Sequence, residues 1–216
     1  FTAPLEWVSL LAAAGCKVHI KAPTSAPDFV FAMADALAAQ GLPVHASTSR
    51  DLMEPDAILA FGTDETMLDL HHKYPKKRLA LYGHRFSIAW IRQARVTDLM
   101  EDIILYDGRG CMAPAAIFTD ADPLQLAQAI AEKLETMAKT CPRGAFDPAL
   151  GPEWRRRVGL AATSGHVIEG PEWAVLISDA KNFTPMALPR MVVIHPVNSI
   201  GDLHERLSPW RNHFSS

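Results

Sequence analysis

Apolar residues Leu5, Val8, Leu11 and Ala12 recur at the spacing of one helix face, and Gly15 follows where a left-handed residue commonly ends a helix. Polar and β-branched side chains then alternate over residues 17–21, which predicts a strand running into Ala22-Pro23-Thr24. A second helix is predicted from Ser25 or Pro27 to Gly41, with Phe29, Met33, Ala36 and Leu37 lining one face. Residues 43–46 read as a second strand. Residues 56–61 form an unbroken apolar run, expected of a strand buried on both faces, and Gly62 closes it. Thr63 is placed to cap a helix over 64–74, whose first turn carries Asp64 and Glu65. Residues 78–82 give a further strand, ended by Gly83. Parallel neighbours need crossover connections, and helices between strands provide them. The first hundred residues are therefore expected to form a doubly wound, Rossmann-like α/β unit.

Farther along, residues 97–105 have a helical composition, but residues 103–106 fit a strand equally well, and periodicity does not separate the two. Residues 115–119 predict a short strand. Asp122 and Pro123 are the cap and first residue of a long helix over 124–139. The polar stretch that follows, up to Glu153, is the one reasonable internal linker. A helix over 154–162, strands at 166–169, 173–177 and 190–195, and a closing amphipathic helix with Ile200, Leu203 and Leu207 on one stripe complete the pattern. Gly-Pro-Glu-Trp occurs at Gly151 and again at Gly170, without any longer self-similarity to make a repeat.

Composition narrows the function. With 216 residues and 49% apolar side chains, the chain fills the core of one large domain or two small ones. A formal net charge of -3 lacks the concentrated Lys and Arg that phosphate backbones require, so small molecules, not nucleic acids, are the expected partners. The apolar segments are short and broken by Lys, Asp or Pro, well below the roughly 20 residues that cross a bilayer, and no signal-peptide pattern is present. A cytoplasmic protein without membrane partners is expected; a homo-oligomer is allowed. Cys16, Cys111 and Cys141 are an odd count without zinc-ligand spacing, so no metal site is expected. Phe1 lies already inside a helical pattern and the chain stops just past another, as expected of a fragment.

The candidate chemistry centres on residues 102–114, a hydrophobic run ending in a glycine-bracketed cysteine. A cysteine is nucleophilic only as thiolate, and it needs a backbone that a substrate can approach. Gly108 and Gly110 supply the approach, Arg109 a positive charge, and the Cys111 amide a donor for a developing oxyanion. The alternative is a buried structural thiol beside an Asp107-Gly108 turn. His84 follows Gly83 at a strand end, His71 and His72 suit a solvated helix face, and His195 precedes Pro196. No Ser-His-Asp or Cys-His arrangement singles out a base. In open α/β sheets ligands bind outside the carboxyl ends of strands, where the loops at 21–25, 62–65 and 83–85 fall. There is no G-x-G-x-x-G fingerprint, so Lys21, Gly62 and Gly83 read either as cofactor contacts or as surface and turn residues.

The order of these stretches resembles the aldehyde dehydrogenase superfamily. Residues 11–23 are similar to that family's small-residue helix, glycine, strand and lysine, with Lys21 at the lysine that contacts the adenosine ribose of a nicotinamide cofactor. Thr24 stands where the family often has glutamate; without that carboxylate a 2′-phosphate is not repelled, so NADP is permitted alongside NAD. Phe61-Gly62-Thr63 resembles the strand-end glycine and hydroxyl at the cofactor phosphates, and residues 79–85 the strand that ends in paired glycines, the second replaced by His84. Hydrolytic members carry a water-activating glutamate two residues before the first glycine; here Leu81 occupies it. Asp107-Gly108-Arg109-Gly110-Cys111-Met112-Ala113-Pro114 looks like the cysteine segment of the LuxC-type acyl-CoA reductases, the fatty acid reductase subunits of luminous bacteria. Residues 193–197 resemble the stretch before the family's proline-valine, although the glutamate that holds the nicotinamide ribose maps to Val192.

The resemblance implies an aldehyde-dehydrogenase-like fold, with a Rossmann-type cofactor-binding portion over residues 1–100 followed by an α/β catalytic portion over residues 101–216. It implies an acyl-CoA reductase in which Cys111 is acylated, coenzyme A leaves, and NADPH reduces the acyl-enzyme to an aldehyde, with acyl-CoA or aldehyde as substrate and coenzyme A as leaving group or co-substrate. Lys21, Thr24, Gly62, Thr63 and Gly83 would bind the cofactor, and His84 would stand with Cys111 at the reacting centre. A reductase of acyl phosphates or semialdehydes, and a noncatalytic nucleotide-binding domain, are the alternatives.

Overall fold

The computed structural model describes residues 3–24, 27–49, 54–92, 96–110, 112–163, 166–180, 183–185 and 188–214. The chain packs as two units, one of residues 1–59 and 74–80, the other of residues 60–73 and 81–216. The division falls within the strands β3 (Ala57–Phe61) and β4 (Arg78–Tyr82), which form a two-stranded sheet.

In the first unit, α1 (Ala3–Ala13), β1 (Val18–Lys21), α2 (Asp28–Ala39) and β2 (Val44–Ser47) follow the predicted order. β1 and β2 are parallel, with Val18 opposite Val44 and Lys21 opposite Ser47. Gly15 (φ 86°) and Gly41 (φ 80°) end the helices in the left-handed region. Val8, Ala12, Ala22, Val30, Met33, Ala34, Val44 and Ala46 form the core. The buried face of α2 is therefore rotated from the expected one. Phe29 is exposed and Val30 and Ala34 point inward, because the helix starts at Asp28 and its packing face follows Val30-Met33-Ala34. Of the alternative start points, Pro27 is the observed cap, and Ser25 lies outside the described residues. β3 departs from expectation too: only Ile58 is buried, and Phe61 stacks in the open on Tyr82 at 5.0 Å. β3 and β4 form a two-stranded sheet whose side chains stay mostly half-buried or exposed.

The second unit is built on a five-stranded sheet in the order β5 (Ser87–Ile91), β6 (Pro114–Thr119), β9 (Met191–Pro196), β8 (Ala174–Ile177), β7 (Val167–Glu169). All neighbours are parallel except the antiparallel β7–β8 pair. β5 was not anticipated, since Arg85-Phe86-Ser87 offers no alternation before the short apolar run. Alternate residues of the central strands serve opposite faces, as a strand period of two requires. Ile117, Val175, Ile177, Val192 and Ile194 meet α4 (Thr97–Ile104) and α5 (Pro123–Thr140) through Met100, Ile103, Leu126, Ile130 and Leu134. Ala116 and Phe118 pack with Leu203 and Leu207 of α7 (Ile200–Leu207), while Ala174, Leu176, Met191 and Val193 pack with Trp154 and Val158 of α6 (Gly151–Thr163). The stripe of α7 is narrower than expected: Ile200, at its first turn, is exposed.

Asp122 caps α5, accepting from the N–H groups of Leu124 at 2.9 Å and Gln125 at 3.3 Å. The predicted linker is not a linker. The Gly144 N–H donates to Asp107, Asp147 caps a 3-10 turn at Pro148–Leu150, and α6 begins at Gly151. No described helix is long and apolar enough to cross a membrane.

Candidate functional site

Two strand-end loops meet in the second unit. The Gly62 N–H continues the β3–β4 pairing by donating to the Tyr82 carbonyl at 3.1 Å. The Thr63 hydroxyl then caps α3 (Asp64–Lys73) by accepting from the Thr66 N–H at 3.2 Å. Asp64, in the first turn of α3, reaches back over β4: its Oδ1 accepts from the main-chain N–H of His84 at 2.8 Å, and its Oδ2 lies 3.8 Å from His213 Nε2. Gly83 makes this possible, because a Cβ there would overlap the Asp64 carboxylate. Four predicted residues, Gly62, Thr63, Gly83 and His84, are thus brought together. The organiser is Asp64, which sequence reasoning assigned only to the helix dipole. His84 is exposed and bonded here through its backbone, and Leu81 is half-buried in β4.

Lys21 and Thr24 belong to the first unit. Lys21 is half-buried at the carboxyl end of β1, with no ion pair among the described residues, and Thr24 is exposed in the loop beyond. A cation at a parallel strand end and an uncharged hydroxyl after it fit the sugar end of a phosphorylated dinucleotide. In the second unit the N-terminus of α3, next to Gly62 and Thr63, is a place that could hold a cofactor's phosphates. The residues of each unit suit the cofactor.

Cys111 lies outside the described residues. The chain leading to it has an unusual backbone: Tyr106 (φ 52°), Asp107 (φ 57°) and Gly108 (φ 72°) are left-handed in succession. Two non-glycine residues there cost about 1–2 kcal/mol each. Compensation comes from Arg190, itself left-handed (φ 50°) and 1% exposed at the start of β9. Arg190 Nε donates to Asp107 Oδ1 at 2.8 Å, and its backbone N–H to the Asp107 carbonyl at 3.1 Å. The Gly144 N–H donates to Asp107 Oδ2, also at 3.1 Å. Arg190 Nη2 sits 3.8 Å from Cys141 Sγ, and Nη1 has no hydrogen-bond partner among the described residues. Sequence reasoning treated Asp107 as a turn marker and Arg190 as a strand end. The signal available was a lone arginine between Leu188 and Met191, at the mouth of a strand otherwise apolar to Ile194.

His195 stands one residue before the end of β9. It is 6% exposed, stacked on Phe118 at 5.3 Å and edge-on to Phe183 at 5.5 Å. Burial, with the charges of Arg206 and Arg157 behind it, pushes its pKa down to about 4. It is a neutral core imidazole.

A family model described as acyl-CoA reductase (LuxC) matches residues 28–216. No curated protein matches the chain. Among solved structures, an oxidoreductase from Marinobacter aquaeolei is similar over 92% of this chain and 50% of its own, with 15% identity and a TM-score of 0.74. An NAD-dependent aldehyde dehydrogenase from Sinorhizobium meliloti is similar over 89% of this chain and 46% of its own, with 13% identity and a TM-score of 0.64. The glyceraldehyde-3-phosphate dehydrogenase GapN from Methanocaldococcus jannaschii, complexed with NADP, is similar over 86% of this chain and 49% of its own, with 17% identity and a TM-score of 0.57. The fold is that of aldehyde dehydrogenases, and the chain spans about half the length of these three.

Proposed function

Because the chain belongs to the acyl-CoA reductase (LuxC) family, we propose that it carries the thiol and cofactor contacts of an NADPH-dependent acyl-CoA reductase. The family match over residues 28–216 carries the reading. Leu81 adds its chemistry. A half-buried aliphatic group at the place of a water-activating glutamate leaves water a poor acyl acceptor, whereas coenzyme A, a far more acidic thiol, needs no such base. The carboxylate present at that strand end, Asp64, is engaged by the His84 N–H.

In the proposed reaction the Cys111 thiolate attacks the thioester carbonyl carbon. A bond forms from Sγ to the acyl carbon, the bond from that carbon to the coenzyme A sulfur breaks, and coenzyme A leaves as a thiolate that takes a proton from solvent. A reduced nicotinamide, held by the residues named below, would supply hydride to the acyl carbon. Cys111 then departs as thiolate while the aldehyde is released. Lys21 and Thr24 would hold the adenosine ribose, Gly62 and Thr63 the phosphates, with Gly83 and His84 beside the reacting centre. The setting is cytoplasmic.

Incubation of the full-length protein with a labelled acyl-CoA tests this. The native protein is expected to become labelled with release of one coenzyme A per label, and Cys111→Ala to take none. Full labelling of that variant overturns the mechanism, and turnover of an acyl phosphate with phosphate release in place of coenzyme A reassigns the substrate.

A further inference from the structure

The Asp107–Arg190 pair is more elaborate than stability requires. A buried ion pair is often no more stabilising than apolar side chains of the same volume. Here both partners also occupy disfavoured left-handed backbones, and the guanidinium keeps Nη1 without a partner among the described residues. Strain of this kind persists where the surrounding structure over-determines it, and it clusters where a reactive group must be presented.

The surroundings do over-determine it. Arg190 is anchored to the central sheet, where its carbonyl accepts from the first N–H of β8, Ala174, at 3.0 Å. From that anchor one side chain and one main-chain N–H reach Asp107, and Gly144 closes the other carboxylate oxygen. A side chain at Gly144 would press on this carboxylate: a Cβ there would stand 3.1 Å from Asp107 Oδ2. The remaining charged group at the carboxylate is Arg109, whose Nη2 is 3.9 Å from Oδ2. Downstream, the Arg109 N–H donates to the Tyr106 carbonyl at 3.2 Å, which ties the segment just before Cys111 to this turn, and the Ala113 N–H donates to the Gly110 carbonyl at 3.0 Å.

We propose that Asp107 and Arg190 are positioning residues for Cys111: the pair locks the left-handed turn at Tyr106-Asp107-Gly108 and thereby sets how the thiol two residues beyond Arg109 is presented. The proposal rests on the reading of Cys111 as the reactive thiol of the proposed function, whatever group it accepts.

The test follows Cys111 alkylation by iodoacetamide against pH, residue by residue, in the full-length protein. Exposed Cys16 is the internal control. The double variant Asp107→Asn/Arg190→Gln leaves no unpaired charge. It is expected to alkylate Cys111 at least tenfold more slowly at pH 7, with a moved pH midpoint and Cys16 unchanged, and Arg190→Lys is expected to recover part of the rate. Should the double variant fail to fold, Gly144→Ala, which crowds the carboxylate without removing charge, must give the same signature. A Cys111 rate and midpoint within twofold of native, whatever happens to the melting temperature, overturns the proposal. Acyl transfer is read on the same samples. Native protein that takes no acyl group while Cys111 still responds to the pair defeats the acyl-CoA reading and leaves this one standing.

Discussion

Asp107 and Arg190, 83 positions apart in the chain, meet at 2.8 Å with both backbones in the left-handed region. Arg190→Met strands the Asp107 carboxylate in a buried site and is expected to cost about 3–5 kcal/mol. Adding Asp107→Leu to it is expected to recover most of that loss. Urea unfolding of the two single variants and the double checks the relation; equal losses in Arg190→Met and the double would show that charge is not the cause.

The imidazole of His195 makes stability depend on pH in one direction. Its pKa is near 4 when folded and near 6.5 when unfolded, so above pH 6.5 it is neutral in both states and contributes nothing. As pH falls below 6.5 the unfolded chain takes up the proton first. The expected loss is about 2 kcal/mol at pH 5 and about 3 kcal/mol at pH 4. His195→Phe, which retains the stack on Phe118, is expected to flatten this slope in denaturation at pH 7 and pH 5.

At the end of β4 there is no room for a Cβ. Gly83→Ala forces the Asp64 carboxylate aside and breaks its bond to the His84 N–H, an expected loss of about 1–3 kcal/mol. In an Asp64→Ala background the same change is expected to be nearly silent. A double-mutant cycle by thermal denaturation measures the coupling.

The loop after β1 tests the cofactor reading. Thr24→Glu brings a negative charge to the proposed ribose site and is expected to cut the NADPH over NADH preference in kcat/KM by roughly tenfold or more. An unchanged ratio would remove Thr24 from the site.

Leu81→Glu puts a carboxylate at the position that, by the resemblance to hydrolytic aldehyde dehydrogenases, matches their water-activating glutamate. With water now activated, the acyl-enzyme is expected to lose its label to hydrolysis about 10²-fold faster. Single-turnover decay of labelled protein reads this directly.

Elements whose local signals agree were legible from sequence. Asp122-Pro123 marks the start of α5, Gly15 and Gly41 the ends of α1 and α2, and Thr63 the cap of α3, because each acts within a few residues of itself. The burial of β3 was misjudged, since an apolar run reports what a strand tolerates and not which neighbours cover it. The same limit applies to the site. Gly62, Gly83 and His84 were recognisable by position, but Asp64 joins them only through a contact across 20 residues, and Arg190 reaches Asp107 only because β9 enters the middle of the sheet. Periodicity carries no record of such pairings.

The strand order also limits how this protein can be dissected. β5 lies ahead of residue 100 and pairs with β6, and β9, which brings Arg190, sits between β6 and β8. A truncation ending anywhere between Pro114 and Arg190 keeps the cysteine segment but discards its anchor, and one starting at residue 101 removes an edge of the sheet. A minimal piece for expression, or a split version reassembled from two halves, has to begin before Ser87 and run through Pro196.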